Sequence, residues 1–211
     1  MRSVVHFFSI KGYVLYRHDR KNRKGGGVAI YCKSYLSSQL ISTSDESDIE
    51  FICVSIGCHS NKILVSCVYN PHNRFSCDPL FDSLLSVVHK YDFIAVLGDF
   101  NYDFLVNCSK VLKLKDLLAM MGLSVINETE PTRYCNSVRP SLLDIFAVSD
   151  PNKVLLFDQI SFISDHDLLF ATLDFNPNRK SSPSSFSYRD FKSVDTIRLF
   201  DELNTVDWSD C

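Results

Sequence analysis

An α+β fold, built from two packed and mostly antiparallel sheets with helices outside them, is what the sequence predicts. Three observations carry the prediction. Strand-like runs recur at short intervals, several of them in pairs separated by turn residues. Helical apolar stripes are few and stand between strands rather than alternating with them one for one. The resulting order of hairpins, helix, strand, helix and strands is not that of a strict βαβ chain.

"GYVLYR" (12–17) reads as a strand, "RHDRKNRKGGG" (17–27) as a charged loop closing in a glycine turn, and "VAIYC" (28–32) as the return strand of a hairpin. "IEFICVSIG" (49–57) and "KILVSCVYN" (62–70) form a second pair, separated by "CHSN". A helix follows, with Asp78 as N-cap, Pro79 at the first helical position and Leu80, Leu84, Val87 and Val88 as its apolar stripe. "FIAVL" (93–97) is apolar on both faces, which places it centrally in a sheet. Ser109 caps a second helix that runs through Met121 and stops at Gly122, with Leu112, Leu117 and Met120 facing inward. "LSVIN" (123–127), "SLLDIFAVS" (141–149) and "LLFATLDF" (168–175) read as further strands.

After Phe175 the texture changes to the Pro/Ser-rich "NPNRKSSPSSFS", so a domain is expected over 1–176. A linker and a short amphipathic helix, about Val194 to Leu203, are expected in 177–211. The chain has 211 residues, 45% of them hydrophobic, with 16 Phe and 9 Tyr, enough for one large domain with its own core.

The net charge of −3 argues neither for nor against nucleic acid, but Arg17, Arg20, Lys21, Arg23 and Lys24 fall close together in the first loop. The eight cysteines contain no CxxC pair, and Cys32, Cys53 and Cys67 lie in apolar runs, where free Cys acts as a small hydrophobe. Reduced thiols and an intracellular setting are therefore expected, nuclear if the protein acts on the genome. Apolar runs stay far below the roughly 18 residues of a membrane span, so no membrane partner is expected.

Four polar clusters stand where predicted strands end or run: Asp99 with Asn101 in "GDFN", Asp144 inside "SLLDIFAV", "SDHD" (164–167), and "YNPH" (69–72). Taken singly, most have an ordinary reading. Gly, Asp and Asn make turns, Asp and His cap loops, and Tyr69 is an edge aromatic. Asp144 is different, because a carboxylate in an apolar strand must face a partner, a metal or water. Together they supply carboxylates, an amide, a His and a Tyr, the set needed to bind one divalent cation and break a phosphodiester. Hard oxygen ligands favour Mg²⁺ or Mn²⁺. GxSxG, HExxH, GxxxxGK[ST] and GxGxxG are absent, so no small-molecule cofactor is expected, and "GGG" at 25–27 reads as a hairpin turn.

In order, "GGGVAIY", "VYNPH", "VLGDFN", "LKDLLAMMGLSVINETEPTR", "SLLDIFAVS" and "SDHDLLF" resemble the endonuclease/exonuclease/phosphatase superfamily. The wording is most like the endonuclease domain of non-LTR (LINE-type) retrotransposons, over roughly residues 12 to 176. The resemblance implies a four-layered α/β sandwich with its site at one rim of the two sheets, a metal-dependent phosphodiesterase activity and DNA as substrate. It implies that His166 is the catalytic imidazole, Asp144 its orienting carboxylate, and Asp99 the group that handles water or the leaving oxygen, fixed by Asn101. Tyr69 would hold the phosphate and Asp165 would stand on the metal side. The basic loop at 17–24 would grip DNA.

In that family an Asn-bearing strand and a strand-to-helix turn carrying a metal-ligand Glu come first. Neither has a counterpart here, and Glu46 and Glu50 stand in the wrong place to substitute. The expectation is an N-terminally incomplete domain lacking its first strands, with weakened metal binding, depressed catalysis and an uncovered apolar sheet face. Two alternatives stay open beside the endonuclease: a catalytically dead remnant or binding module, and a superfamily phosphatase acting on phospholipid or inositol phosphates.

Overall fold

Burial on both faces of four neighbouring strands organises the first part of the molecule. The computed structural model describes residues 8–20, 25–45, 49–58, 61–71, 76–135, 138–161, 164–175, and 198, 201, 204 and 205. Contacts divide the chain into two units, Met1–Asn178 and Arg179–Cys211. In the first, β1 (Tyr13–His18) and β2 (Val28–Lys33) form the expected antiparallel hairpin. A six-stranded mixed sheet contains β3 (Ser37–Thr43), β4 (Glu50–Cys58), β5 (Asn61–Tyr69), β6 (Phe93–Asp99), β7 (Ser124–Val125) and β10 (Asp144–Val148), in the order β3-β4-β5-β6-β10-β7. Only the β5–β6 pair is parallel, and the helix α1 (Asp78–Leu85) lies in the connection between them. Two further hairpins pair β8 (Arg133–Cys135) with β9 (Val138–Ser141), and β11 (Val154–Ile160) with β12 (Leu168–Leu173).

The pleat sends successive side chains to opposite faces. Phe51 and Cys53 of β4, Leu64 and Val68 of β5, Ile94 and Val96 of β6, and Ile145 and Ala147 of β10 point one way. There they meet Leu80, Phe81 and Leu84 of α1, and Val111, Leu114 and Leu118 of α2 (Ser109–Met120). On the opposite face, Ile52 and Val54 meet Val28 and Cys32 of the first hairpin, while Ile63, Phe93, Ala95, Phe146 and Val148 meet Phe157, Leu169 and Ala171 of the last. Helices, the six-stranded sheet and hairpins thus stack as a sandwich, with a core on each face of the central sheet.

Several elements differ from expectation. Asp78 is the first helical residue rather than the N-cap; the cap is Cys77, and the Asp78 carboxylate binds Ser76 and Lys113 instead. Ser109 likewise opens α2 from inside, behind the N-cap Cys108. The inward face of α2 is Val111, Leu114 and Leu118, while Leu112 and Met120 are 51% and 81% exposed. "LSVIN" holds only the two-residue strand β7, and "SLLDIFAVS" breaks at Leu142–Leu143 between β9 and β10, so Asp144 begins a strand instead of lying within one. The strands β3 and β11 carry no clear apolar alternation, and sequence reading assigns them no strand. The outer face of the last hairpin is apolar and open: Leu156, Ile160, Leu168 and Phe170 are each about half exposed. Of the expected tail helix, only Arg198 and Asp201 lie among the described residues; they are helical and exposed.

No helix among the described residues is long and apolar enough to cross a membrane. Cys32, Cys53, Cys67, Cys77, Cys108 and Cys135 are free thiols. Burial drives the proton affinity of Cys77 up to about 12, which makes it an inert core group.

Candidate active site

Strand register alone lines up four polar side chains. Glu50 pairs with Tyr69, Tyr69 with Asp99, and Asp99 with Asp144, so one residue from each of β4, β5, β6 and β10 stands at the same level of the sheet. Alternation puts all four on the hairpin face, opposite α1 and α2. The row is continuous because the apolar runs of β5 and β6 both end at this level.

Gly98 brings β6 to that level. A Cβ at this position would stand 1.9 Å from the Val68 carbonyl oxygen, and its φ of +142° is one that side chains rarely adopt. Two residues on, Asn101 has φ +52°, a left-handed conformation that Asn tolerates better than most residues. The turn is locked by its own polar groups. Asp99 Oδ1 accepts from the Asn101 amide at 2.8 Å, and Oδ2 from Asn101 Nδ2 at 2.9 Å. Asn101 Nδ2 also donates to the Asn70 carbonyl at 2.9 Å, while the Asn70 amide donates to the Asp99 carbonyl at 2.8 Å. Burial first, then the nearby charge of Asp144, raises the proton affinity of Asp99 to about 6.

Asp144 finds the partners that its apolar surroundings require. Its Oδ2 accepts from the Thr132 hydroxyl at 2.7 Å and lies 2.7 Å from His166 Nδ1. Thr132 is fully buried, and its hydroxyl in turn accepts from the amides of Leu143 and Asp144 at 3.1 and 3.0 Å. That leaves the hydroxyl one hydrogen to give, and it goes to the carboxylate. Buried Asn127 fixes the same strand end, donating to the Asp144 carbonyl and accepting from the Phe146 amide. Because the carboxylate accepts, His166 carries its hydrogen on Nδ1, which leaves Nε2 as the nitrogen with a lone pair.

Asp99, Asp144 and His166 each offer a ligand atom, and these atoms lie within 4.8 Å of one another. Two carboxylates and an imidazole are a donor set that fits one divalent cation such as Mg²⁺ or Mn²⁺. Asp165 lies outside this group. Its carboxylate accepts from Arg133 Nε at 3.0 Å, and that guanidinium holds it below the usual carboxylate range. Tyr69 sits in the row with no hydrogen-bond partner for its hydroxyl among the described residues, and the Arg20 guanidinium lies 5.8 Å from its ring centroid.

The basic loop meets the site only in part. Arg20 is drawn inward to buried Glu50, hydrogen-bonded through Nε and ion-paired through Nη2, and the Gly27 amide donates to the same carboxylate. Arg17 pairs with Asp19. Lys21, Arg23 and Lys24 lie outside the described residues, as do His72 and Glu46. Sequence reading missed Thr132, Asn127 and the Arg20–Glu50 pair. The "EPTR" and "INE" strings that hold Thr132 and Asn127 carry no chemistry until the chain is folded.

A family model described as endonuclease-reverse transcriptase matches residues 63–170, just over half of the chain and the stretch that holds Tyr69, Asp99, Asn101, Thr132, Asp144 and His166. No curated protein sequence matches the chain. Among solved structures, it is similar to the endonuclease domain of TRAS1, a telomere-specific non-LTR retrotransposon, with a TM-score of 0.63 and 12% identity over 79% of this chain and 82% of that one. It is also similar to an endonuclease/exonuclease/phosphatase family protein from Leptotrichia buccalis C-1013-b, with a TM-score of 0.54 and 14% identity over 81% and 75%. The human Nocturnin catalytic domain gives a TM-score of 0.52 and 15% identity over 80% and 78%. At such identities the likeness is one of fold.

Proposed function

The chain belongs to the endonuclease-reverse transcriptase family, with the endonuclease/exonuclease/phosphatase fold, and from that premise we propose that it is a metal-dependent phosphodiesterase that nicks DNA. One observation carries the reading: Asp99, Asp144 and His166 converge within 4.8 Å at the rim where β6 and β10 meet the "SDHD" turn. The similarity to a retrotransposon endonuclease domain supports DNA as the substrate.

The residues divide the work by what each atom can do. Asp144 orients His166 through Nδ1–H, so that the imidazolium form can give its Nε2 proton to the leaving oxygen as the P–O bond breaks. Asp99, whose proton affinity lies near 6, takes the proton of the attacking water at neutral pH. Asn101 occupies both Asp99 oxygens and so fixes the carboxylate's rotation. The Tyr69 hydroxyl faces the same rim and donates to a non-bridging oxygen. A divalent cation held by Asp99 and Asp144 would neutralise the phosphoryl oxygens as the bond to the leaving oxygen breaks.

The test is the nicking of supercoiled plasmid in the presence of Mg²⁺ or Mn²⁺, with His166→Ala alongside. Loss of the imidazole is expected to lower the rate by roughly 10²–10⁴-fold while leaving the fold intact. A wild-type chain that leaves plasmid intact with either metal would overturn the reading in favour of a binding module. Release of phosphate from inositol phosphates, without nicking, would move the substrate class to headgroups.

A further inference from the structure

Arg17 and Arg20 of the first hairpin spend their charge on carboxylates of the protein, yet the site keeps a cation of its own. Arg17 is paired with Asp19 and lies over the Phe8 ring. Arg20 is held by Glu50, and a side chain at Gly26 would run into its guanidinium. Arg133 is placed otherwise. Its backbone forms an antiparallel bridge directly opposite His166, and the bridge is flanked by hydrogen bonds from the Tyr134 amide to Asp165 and from the Asp167 amide to Thr132, both 2.8 Å. Directly opposed residues of an antiparallel pair project to the same face, so the Arg133 side chain stands beside the imidazole.

Only Nε of that guanidinium is engaged, by Asp165 at 3.0 Å, and the Nη groups have no hydrogen-bond partner among the described residues. The side chain is one-third exposed, open to a ligand yet tethered. A planar guanidinium gripped on one edge presents its other edge in a fixed plane, the geometry that matches two oxygens of a phosphate.

We propose that Arg133 is a DNA-contacting residue whose Nη edge takes a backbone phosphate next to the one at His166, with Asp165 as the positioning residue that aims it. The proposal deepens the DNA-nicking reading and rests on it for the identity of the ligand. It also moves Asp165 from the metal to the substrate: its carboxylate serves to hold a cation of the protein. The cost of a phosphate contact shows in salt dependence, because each phosphate neutralised releases condensed counterions.

The experiment is anisotropy of a labelled DNA duplex with the full chain in EDTA, titrated from about 50 to about 300 mM NaCl. Arg133→Gln is expected to weaken binding by roughly 3- to 10-fold and to reduce the slope of log K against log salt by about one. Arg133→Lys restores the slope, because the charge returns, but not the whole affinity, because the two-pronged geometry does not. Asp165→Asn keeps the slope and loses affinity, the mark of a residue that aims a charge without supplying one. An unchanged slope in Arg133→Gln overturns the proposal, provided that its thermal unfolding matches wild type; a misfolded Gln variant leaves the charge-removing Arg133→Met to decide by the same slope. A duplex bound in this Arg133-dependent way but never nicked with Mg²⁺ or Mn²⁺ upholds the contact and sinks only the catalytic reading. Binding by wild type to vesicles containing phosphoinositide, with none to DNA, sinks both.

Discussion

Asp99 is the residue at which fold and function pull apart. The fold favours its protonated form, and the proposed chemistry uses the ionised one. The carboxyl titrates near 6 in the native state against 3.8 for an ordinary Asp, because it is buried beside Asp144. Its contribution to stability is therefore fully present below the unfolded value of 3.8 and is lost as pH rises through about 6. Measured in EDTA against Asp99→Asn, the wild-type unfolding free energy should fall by about 2 kcal/mol between about pH 4 and about pH 6. A wild-type-minus-variant difference that stays flat over that window would show that Asp99 does not titrate there. Asp144 was legible in the sequence because a carboxylate bounded by Leu142, Leu143, Ile145 and Phe146 demands partners. What answers the demand was not legible. Thr132 reads as one more polar loop residue until β8 brings its hydroxyl under the carboxylate.

At the scale of elements, register does most of the positioning. Glu50, Tyr69, Asp99 and Asp144 are spread over 95 positions of sequence, and only strand pairing makes them a row. Gly98 is the joint of that row. Placing a methyl there forces β6 away from the Val68 carbonyl or forces the backbone out of φ +142°. Gly98→Ala should therefore cost roughly 2–4 kcal/mol in chemical denaturation, well above an exposed-site change. A cost below about 1 kcal/mol would mean that the strands close without this approach. Sequence reading found β5, β6 and both helices because their apolar periods are strong. It missed the inward face of α2 for a physical reason. The segment "SKVLKLKDLLAM" offers two apolar stripes, and the sheet selects Val111, Leu114 and Leu118, with the expected Leu117 at their edge, over Leu112 and Met120. β11 was illegible because both its faces carry apolar side chains, with Leu155 and Leu156 left exposed.

For the molecule as a whole, the question is which part of the chain carries the stability. Every buried hydrophobic residue of the three core clusters lies between Val28 and Val148, and the partly buried residues that pack against them end at Phe175. The site lies inside the same span, from Tyr69 to His166. The described residues of the second unit, Arg198, Asp201, Asn204 and Thr205, are all exposed. Among the described residues, removing Arg179–Cys211 therefore takes away none of the core clusters and no member of the polar row. For a domain of this size, 1 kcal/mol moves Tm by roughly 2–4 °C, so a protein ending at Asn178 should melt within about 2 °C of the full chain. It should also nick plasmid at the same rate if the full chain does. A fall in Tm of more than about 5 °C would show that residues 179–211 add to the stability of the protein.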